Sequence, residues 1–252
     1  GHRQATSCGL RKCRELRLTL VKSLDMTAGK QTSIIGHNDV LPPHTRLDIW
    51  EVYARLVLQF IDAAEYGHLV YGDKPDLRDE ELDLGVEVTQ AIPACNQEAD
   101  ALYARLHSED DEASRSRLIE RIEQVGGKVL DHVLFGPNGI DSFDLIIDAF
   151  KEKLEKLNTG GYEHFKHNHL FIRSNIYADS EMLDDGLASL IAPNVQILSF
   201  ERVVISVPGH NYDLDLINGL YSDLLFAFAD QCSIGERARS IVIEAEADYA
   251  AK

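Results

Sequence analysis

The sequence predicts an α/β domain in which a mixed central sheet is flanked by helices, with a helical C-terminal extension. Three observations carry this. The apolar runs "NHLFIRS" (168–174) and "RVVISV" (202–207) are short, β-branched and aromatic, as central strands are. Phe143, Ile146, Ile147, Phe150, Leu154 and Leu157 recur at helical spacing and form one apolar stripe. No repeat or low-complexity linker interrupts the order helix, strands, helices, strand, strand, helices, so residues 45–252 read as one core.

In chain order, residues 1–44 read as a basic arm packed on that core. Within it, residues 9–24 fit either a strand, from the alternation of "ELRLTLV", or a helix through Leu10, Cys13, Leu20 and Leu24. "GHNDVLPPHT" (36–45) is a loop whose Thr45 is placed to cap the next helix. That helix, 47–66, buries Leu47, Trp50, Ala54, Val57, Leu58 and Ile61 and stops at Gly67, with Asp48, Glu51, Arg55 and Gln59 opposite. Strands follow near 68–72 and 83–90, with "RDEE" (78–81) as a solvated turn between them. Helices are expected over 96–107 and 113–126, the second ended by Gly126-Gly127. "VLDHVLF" (129–135) fits helix or strand, and "GPNGIDS" (136–142) is a turn. Helix 143–157 and the two central strands come next, and 214–230 and 235–250 read as helical.

The chain has 252 residues, of which 44% are hydrophobic and 27% charged, ordinary for a soluble globular protein. No apolar run approaches the roughly 20 residues needed to span a bilayer, and no signal-peptide pattern opens the sequence. Cys8, Cys13, Cys95 and Cys232 lack framework spacing, so reduced thiols and a cytoplasmic location are expected. A net charge of −17 argues against a broad phosphate-binding surface. The first 30 residues run against this balance, with seven basic side chains (Arg3, Arg11, Lys12, Arg14, Arg17, Lys22, Lys30) and two acids, Glu15 and Asp25. They form either a solvated face or a local contact for nucleic acid.

The chemistry centres on "KPDLRDEELDLGVEVTQ" (74–90), where Leu84, Val86 and Val88 read as a buried strand carrying Glu87 at its middle. A buried carboxylate is costly unless it is paired or holds a metal. Strand alternation turns Glu87 and Thr89 to one face and Val86 and Val88 to the other. If Asp76 begins the preceding strand, a hairpin sets it beside Glu87. Two close carboxylates repel, a divalent cation relieves this, and such hard oxygen ligands favour Mg²⁺ or Mn²⁺.

Here the sequence resembles the PD-(D/E)XK, or restriction-endonuclease-like, nuclease superfamily. Pro75-Asp76 followed by an acidic residue on an apolar strand carries the resemblance, loosely over 45–207 and closely over 75–91. "LGVEVTQAI" resembles members whose strand reads Gly-hydrophobic-Glu-hydrophobic-Thr. The resemblance implies a restriction-endonuclease-like core, Mg²⁺-dependent hydrolysis of DNA or RNA, and bacterial defence as a setting. It leaves open a homodimer or a partner in a defence complex. By the same resemblance, Asp76, Glu87 and the backbone carbonyl of Val88 would bind the metal, and Glu51 matches a position where another acidic ligand is common.

One departure stands out: the lysine of the motif would fall at position 89, where this chain has Thr89. A lysine there would orient the attacking water and stabilise the transition state. Some members take it from a neighbouring helix, and "FKEKLEKL" offers Lys153 at the edge of the apolar stripe and Lys156 one turn on, with Tyr162 beyond. Lys128 is a weaker source. The simpler reading pairs these lysines with Glu152 and Glu155.

The absent strand lysine and the net charge also fit a catalytically inactive nuclease-fold protein acting as a binding or inhibitory subunit, or an acidic interaction protein with no site. His164, His167 and His169 are closely spaced, but no fourth ligand accompanies them for zinc. "GPNG" and "TGG" do not continue into a phosphate-loop pattern, and no nucleophile elbow is present.

Overall fold

A computed structural model of the chain describes residues 45–130, 133–136, 142–159 and 161–250. The basic arm, residues 9–24 and most of the "GPNGIDS" turn lie outside these residues. In chain order the elements are α1 (Ile49–Ile61), α2 (Ala63–Tyr66), β1 (Val70–Tyr71), β2 (Leu77–Asp79), β3 (Leu84–Ala91), α3 (Ala94–Ser108) and α4 (Glu112–Gln124). They continue with β4 (Lys128–Leu130), β5 (Val133–Phe135), α5 (Asp144–Asn158), β6 (His167–Ser174), α6 (Ser180–Ile191), β7 (Arg202–Val207), β8 (His210–Asp215), β9 (Leu220–Leu225) and α7 (Phe228–Ala250).

Seven strands form one mixed sheet in the order β1-β2-β3-β6-β7-β8-β9. The centre is parallel, with β3 beside β6 and β6 beside β7, and both flanks are antiparallel. The buried centre explains why β6 and β7 read as continuous apolar runs rather than alternating ones. On one face Leu77, Leu84, Val86, Val88, Phe171 and Val204 pack against Ala54, Val57 and Leu58 of α1 and against Tyr66 and Phe226. Helix α7 reaches α1 through Ala238 and Val242 against Val52. On the other face Leu170, Ile172, Val203, Ile205 and Leu214 meet Ile146, Phe150 and Leu154 of α5 and Leu183, Leu187 and Leu190 of α6. Each fully buried aliphatic side chain contributes about 1.5–3 kcal/mol, so this two-sided burial holds the strands that carry the acids. A smaller cluster of Leu102, Leu106, Leu118 and Ile122 joins α3 to α4.

Several expectations need correction. The predicted helix 47–66 is two helices, because the Asp62 side chain accepts the Ala64 and Glu65 N–H groups and starts α2. Its N-cap is Asp48, which accepts from the Trp50 N–H at 2.7 Å; Thr45 instead donates its hydroxyl to the Leu47 carbonyl. "RDEE" is not all turn: Arg78 and Asp79 belong to β2, and Asp79 is buried while accepting the N–H groups of Glu81 and Leu82. The ambiguous "VLDHVLF" contributes β4 and β5, which pair antiparallel. The stretch 214–230, expected to be helical, falls mostly in β8, β9 and the turn joining them. Helix α6 had no counterpart in the sequence reading, and α7 is a single helix of 23 residues.

Candidate active site

Strand β2 runs antiparallel to β3 with Leu77 opposite Val86, and one step beyond this register Asp76 faces Glu87. The approach to Asp76 is a tight turn in which the Gly72 N–H donates to the Asp76 carbonyl at 2.8 Å. Asp76 is then anchored across the pair: the Val88 N–H donates to its Oδ2 at 2.7 Å. Glu87 follows on the same strand, its side chain only 2% exposed and turned toward α5.

Helix α5 supplies the cation. Lys153 Nζ lies 2.6 Å from Glu87 Oε2 and 3.5 Å from Asp76 Oδ2, with 14% of its side chain exposed. Its position on the edge of the Phe150–Leu154–Leu157 stripe lets the aliphatic stem pack on the sheet while the ammonium reaches both acids. Tyr162, just after α5, donates its hydroxyl to Glu87 Oε2 at 3.4 Å. The loop carrying Tyr162 is tied to the hairpin by the Glu163 N–H donating to the Lys74 carbonyl at 3.0 Å and by the Arg78–Glu163 ion pair at 2.6 Å. Among the described residues Glu87 Oε1 has no hydrogen-bond partner.

The electrostatics follow from burial and proximity. Burial pushes the Glu87 carboxyl above the usual range, against the pull of Lys153. Burial disfavours the Lys153 charge, but Glu87 and Asp76 outweigh it and raise its pKa. Glu51, in the first turn of α1, is raised to about 7 by burial and by the neighbouring charges of Asp76, Asp48 and Glu87, with Lys153 opposing. It therefore feels the same field. Asp76, Glu87 and Glu51 do not close into a three-carboxylate cage, since the described residues contain no group of three or more His, Cys, Asp or Glu side chains arranged for a metal.

The structure thus brings together Asp76, Glu87, Lys153 and the backbone of Val88. Lys156 is elsewhere, paired at 2.5 Å with Glu152 on the exposed side of α5. Thr89 shares the Glu87 face by strand alternation and is half-buried. Gly85 explains the glycine in the motif strand. A Cβ there would lie 2.8 Å from Pro75 Cγ and 3.0 Å from Phe165 Cδ2, so only glycine lets the Pro75 ring sit over β3 and set the height of Asp76. Gly85→Ala is expected to cost about 1–3 kcal/mol by overpacking, measured by urea denaturation, and to shift the Asp76–Val88 contact.

A second cluster was not anticipated. On the opposite face, a cavity of about 440 Å³ is lined by Glu65, His169, Arg202, Asp213 and Ser222 among others. Arg202 is bound by both Glu65 and Asp213, and the Tyr66 hydroxyl sits 3.0 Å from His169 Nδ1. His167 pairs with Glu201 at 2.8 Å. One guanidinium is shared by two carboxylates here, and these side chains bond one another, so the cluster reads as a structural network. Glu65 and Arg202 are far apart in the chain, and no local pattern announces their pairing. Among the described residues no helix is long and apolar enough to cross a membrane. Compared with known proteins, the chain matches no family model, no curated protein and no solved structure.

Proposed function

We propose that the protein is a metal-dependent nuclease that hydrolyses phosphodiester bonds of DNA or RNA, built on a restriction-endonuclease-like core. The observation that carries this is the contact of Lys153 Nζ, arriving from α5, with both Glu87 and Asp76. It answers the missing lysine at position 89. The mixed sheet flanked by helices is compatible with such a core.

The residues present fit a hard divalent cation. Asp76 and Glu87 supply carboxylate oxygens, Glu87 Oε1 has no hydrogen-bond partner among the described residues, and Mg²⁺ is commonly held by one or two carboxylates with water completing its shell. Asp76 and Glu87 would hold Mg²⁺ or Mn²⁺, with the Val88 carbonyl as a further donor, while Glu51 stands outside this set. The ion would acidify a bound water and offset charge on the phosphate. Lys153 orients the attacking water and, as an ammonium, stabilises the charge gathering on the phosphoryl oxygens. The Val88 N–H and Tyr162 hold the two carboxylates in place. Thr89 offers only a hydroxyl on the same face. Bacterial defence and a cytoplasmic site of action belong to the same reading.

The test is cleavage of plasmid DNA and of RNA with Mg²⁺ or Mn²⁺, compared with EDTA and with Glu87→Gln. Cleavage should require the metal and fall by at least about a hundredfold in Glu87→Gln. Intact substrates under every metal condition would reject the nuclease and leave a binding or inhibitory subunit, the reading to which the net charge of −17 otherwise inclines.

A further inference from the structure

The sheet ends at β9, whose outer edge has no strand partner among the described residues. The opposite edge is β1, only two residues long. Exposed strands are normally blunted by proline, lysine, a bulge or shortness, because their free N–H and C=O groups invite pairing. The β9 strand, "LYSDLL", is six residues long and has neither proline nor lysine. Around it Ile217, Leu220, Leu225 and Phe228 are between 64% and 69% exposed, a concentration of apolar side chains that an isolated subunit would not favour.

We propose that β9 is a self-association edge, pairing antiparallel with β9 of a second copy about a two-fold axis through Ser222. The register follows from chemistry. Pairing with β8 sets Tyr221 opposite Leu214 and Asp223 opposite Tyr212, both on the α5–α6 face. Leu220, Ser222 and Leu224 therefore point to the other face. A two-fold normal to the sheet keeps each face on its own side, so the axis passes through a residue facing its own copy. The two central choices are Ser222 and Asp223. Centring on Asp223 would set one carboxylate against its copy, which is unfavourable. Centring on Ser222 matches the faces. Leu220 meets Leu224 of the second copy on one face, twice by symmetry, and Tyr221 meets Asp223 of the second copy on the other. The occupant that fits the edge along its whole length is thus the same strand reversed.

The experiment is sedimentation velocity on the full chain from about 1 to 200 µM, a range suited to a small interface. A concentration-dependent dimer is expected. Ser222→Asp, at an exposed position that the fold tolerates, should weaken it about tenfold or more by placing carboxylates across the axis. With Cys8, Cys13, Cys95 and Cys232 replaced by Ser, Ser222→Cys should cross-link two chains on mild oxidation, because residues facing each other across the axis lie within disulfide reach. Leu220→Cys alone should not, since its counterpart lies four residues along the strand. A chain that stays monomeric at the highest concentration overturns the proposal. So does a dimer indifferent to Ser222→Asp, equal cross-linking by both cysteine variants, or a monomer whose β9 amides are protected from hydrogen exchange by another segment.

Discussion

Lys153→Met is expected to abolish the proposed cleavage and to destabilise the fold by about 2–3 kcal/mol at pH 7, the range for a buried ion pair that loses one partner, reduced for the partial exposure of the lysine. The substitution keeps the aliphatic stem of the side chain, so packing on the sheet survives and the charge alone is lost. Glu87 then stands nearly fully buried without its cation, and Asp76 loses its second neighbour. The sign of the pH dependence follows. Without Lys153 the folded Glu87 pKa rises further above its unfolded value. The penalty is therefore fully present above the folded pKa and is relieved as pH falls through it. Urea titrations at pH 8, 7 and 5 should show the deficit against wild type shrinking toward acid. Adding Glu87→Gln should restore much of the stability, since a neutral amide needs no counter-charge, while restoring no cleavage. A deficit independent of pH, or a double variant less stable than Lys153→Met, would mean that Lys153 acts through packing and that the ion pair is incidental. Activity that survived in Lys153→Met would remove the group to which the proposed chemistry assigns the water.

Much of this site is legible before any coordinates are seen, because its constraints are local. An acid in the middle of an apolar strand, a Pro-Asp pair one hairpin earlier and a lysine at a stripe edge each carry their own physical reason. Convergence is a different matter: that Lys153 rather than Lys156 reaches Glu87 depends on the rotation of α5 against β3, which spacing along the helix leaves undetermined. The central strands and α5 are legible for the same reason that they are stable, namely continuous burial. The antiparallel flank is read wrongly even though its turn signals are present. Pro208-Gly209 joins β7 to β8 with Gly209 at φ 89°, and Asn218-Gly219 ends the β8–β9 turn with Gly219 at φ 65°. The apolar run around Leu224, Leu225 and Phe226 masks that signal, because a short apolar run has no period of its own. Asp79 misleads in the opposite way. Its acidic neighbours suggest solvent, but its side chain closes the β2–β3 turn by accepting two backbone N–H groups.

Acid should destabilise the protein through His169 by about 3 kcal/mol between pH 7 and pH 4. His169 is 5% exposed, and its pKa is lowered to about 3 by burial first and by the charges of Arg202 and His167 second. In the unfolded chain it titrates near 6.5. Between these values the unfolded state binds the extra proton, so stability rises with pH across that window, at up to about 1.4 kcal/mol per pH unit. The contribution is complete above about pH 6.5 and is lost as pH falls toward 3. Many carboxylates also titrate below pH 5, so wild type alone does not isolate the effect. His169→Gln keeps a polar side chain opposite the Tyr66 hydroxyl and removes the titration. The difference in unfolding free energy between wild type and His169→Gln, followed by urea from pH 7 to pH 4, should narrow or reverse as pH drops. A difference that stays constant would show that the native protein accommodates a charged imidazole.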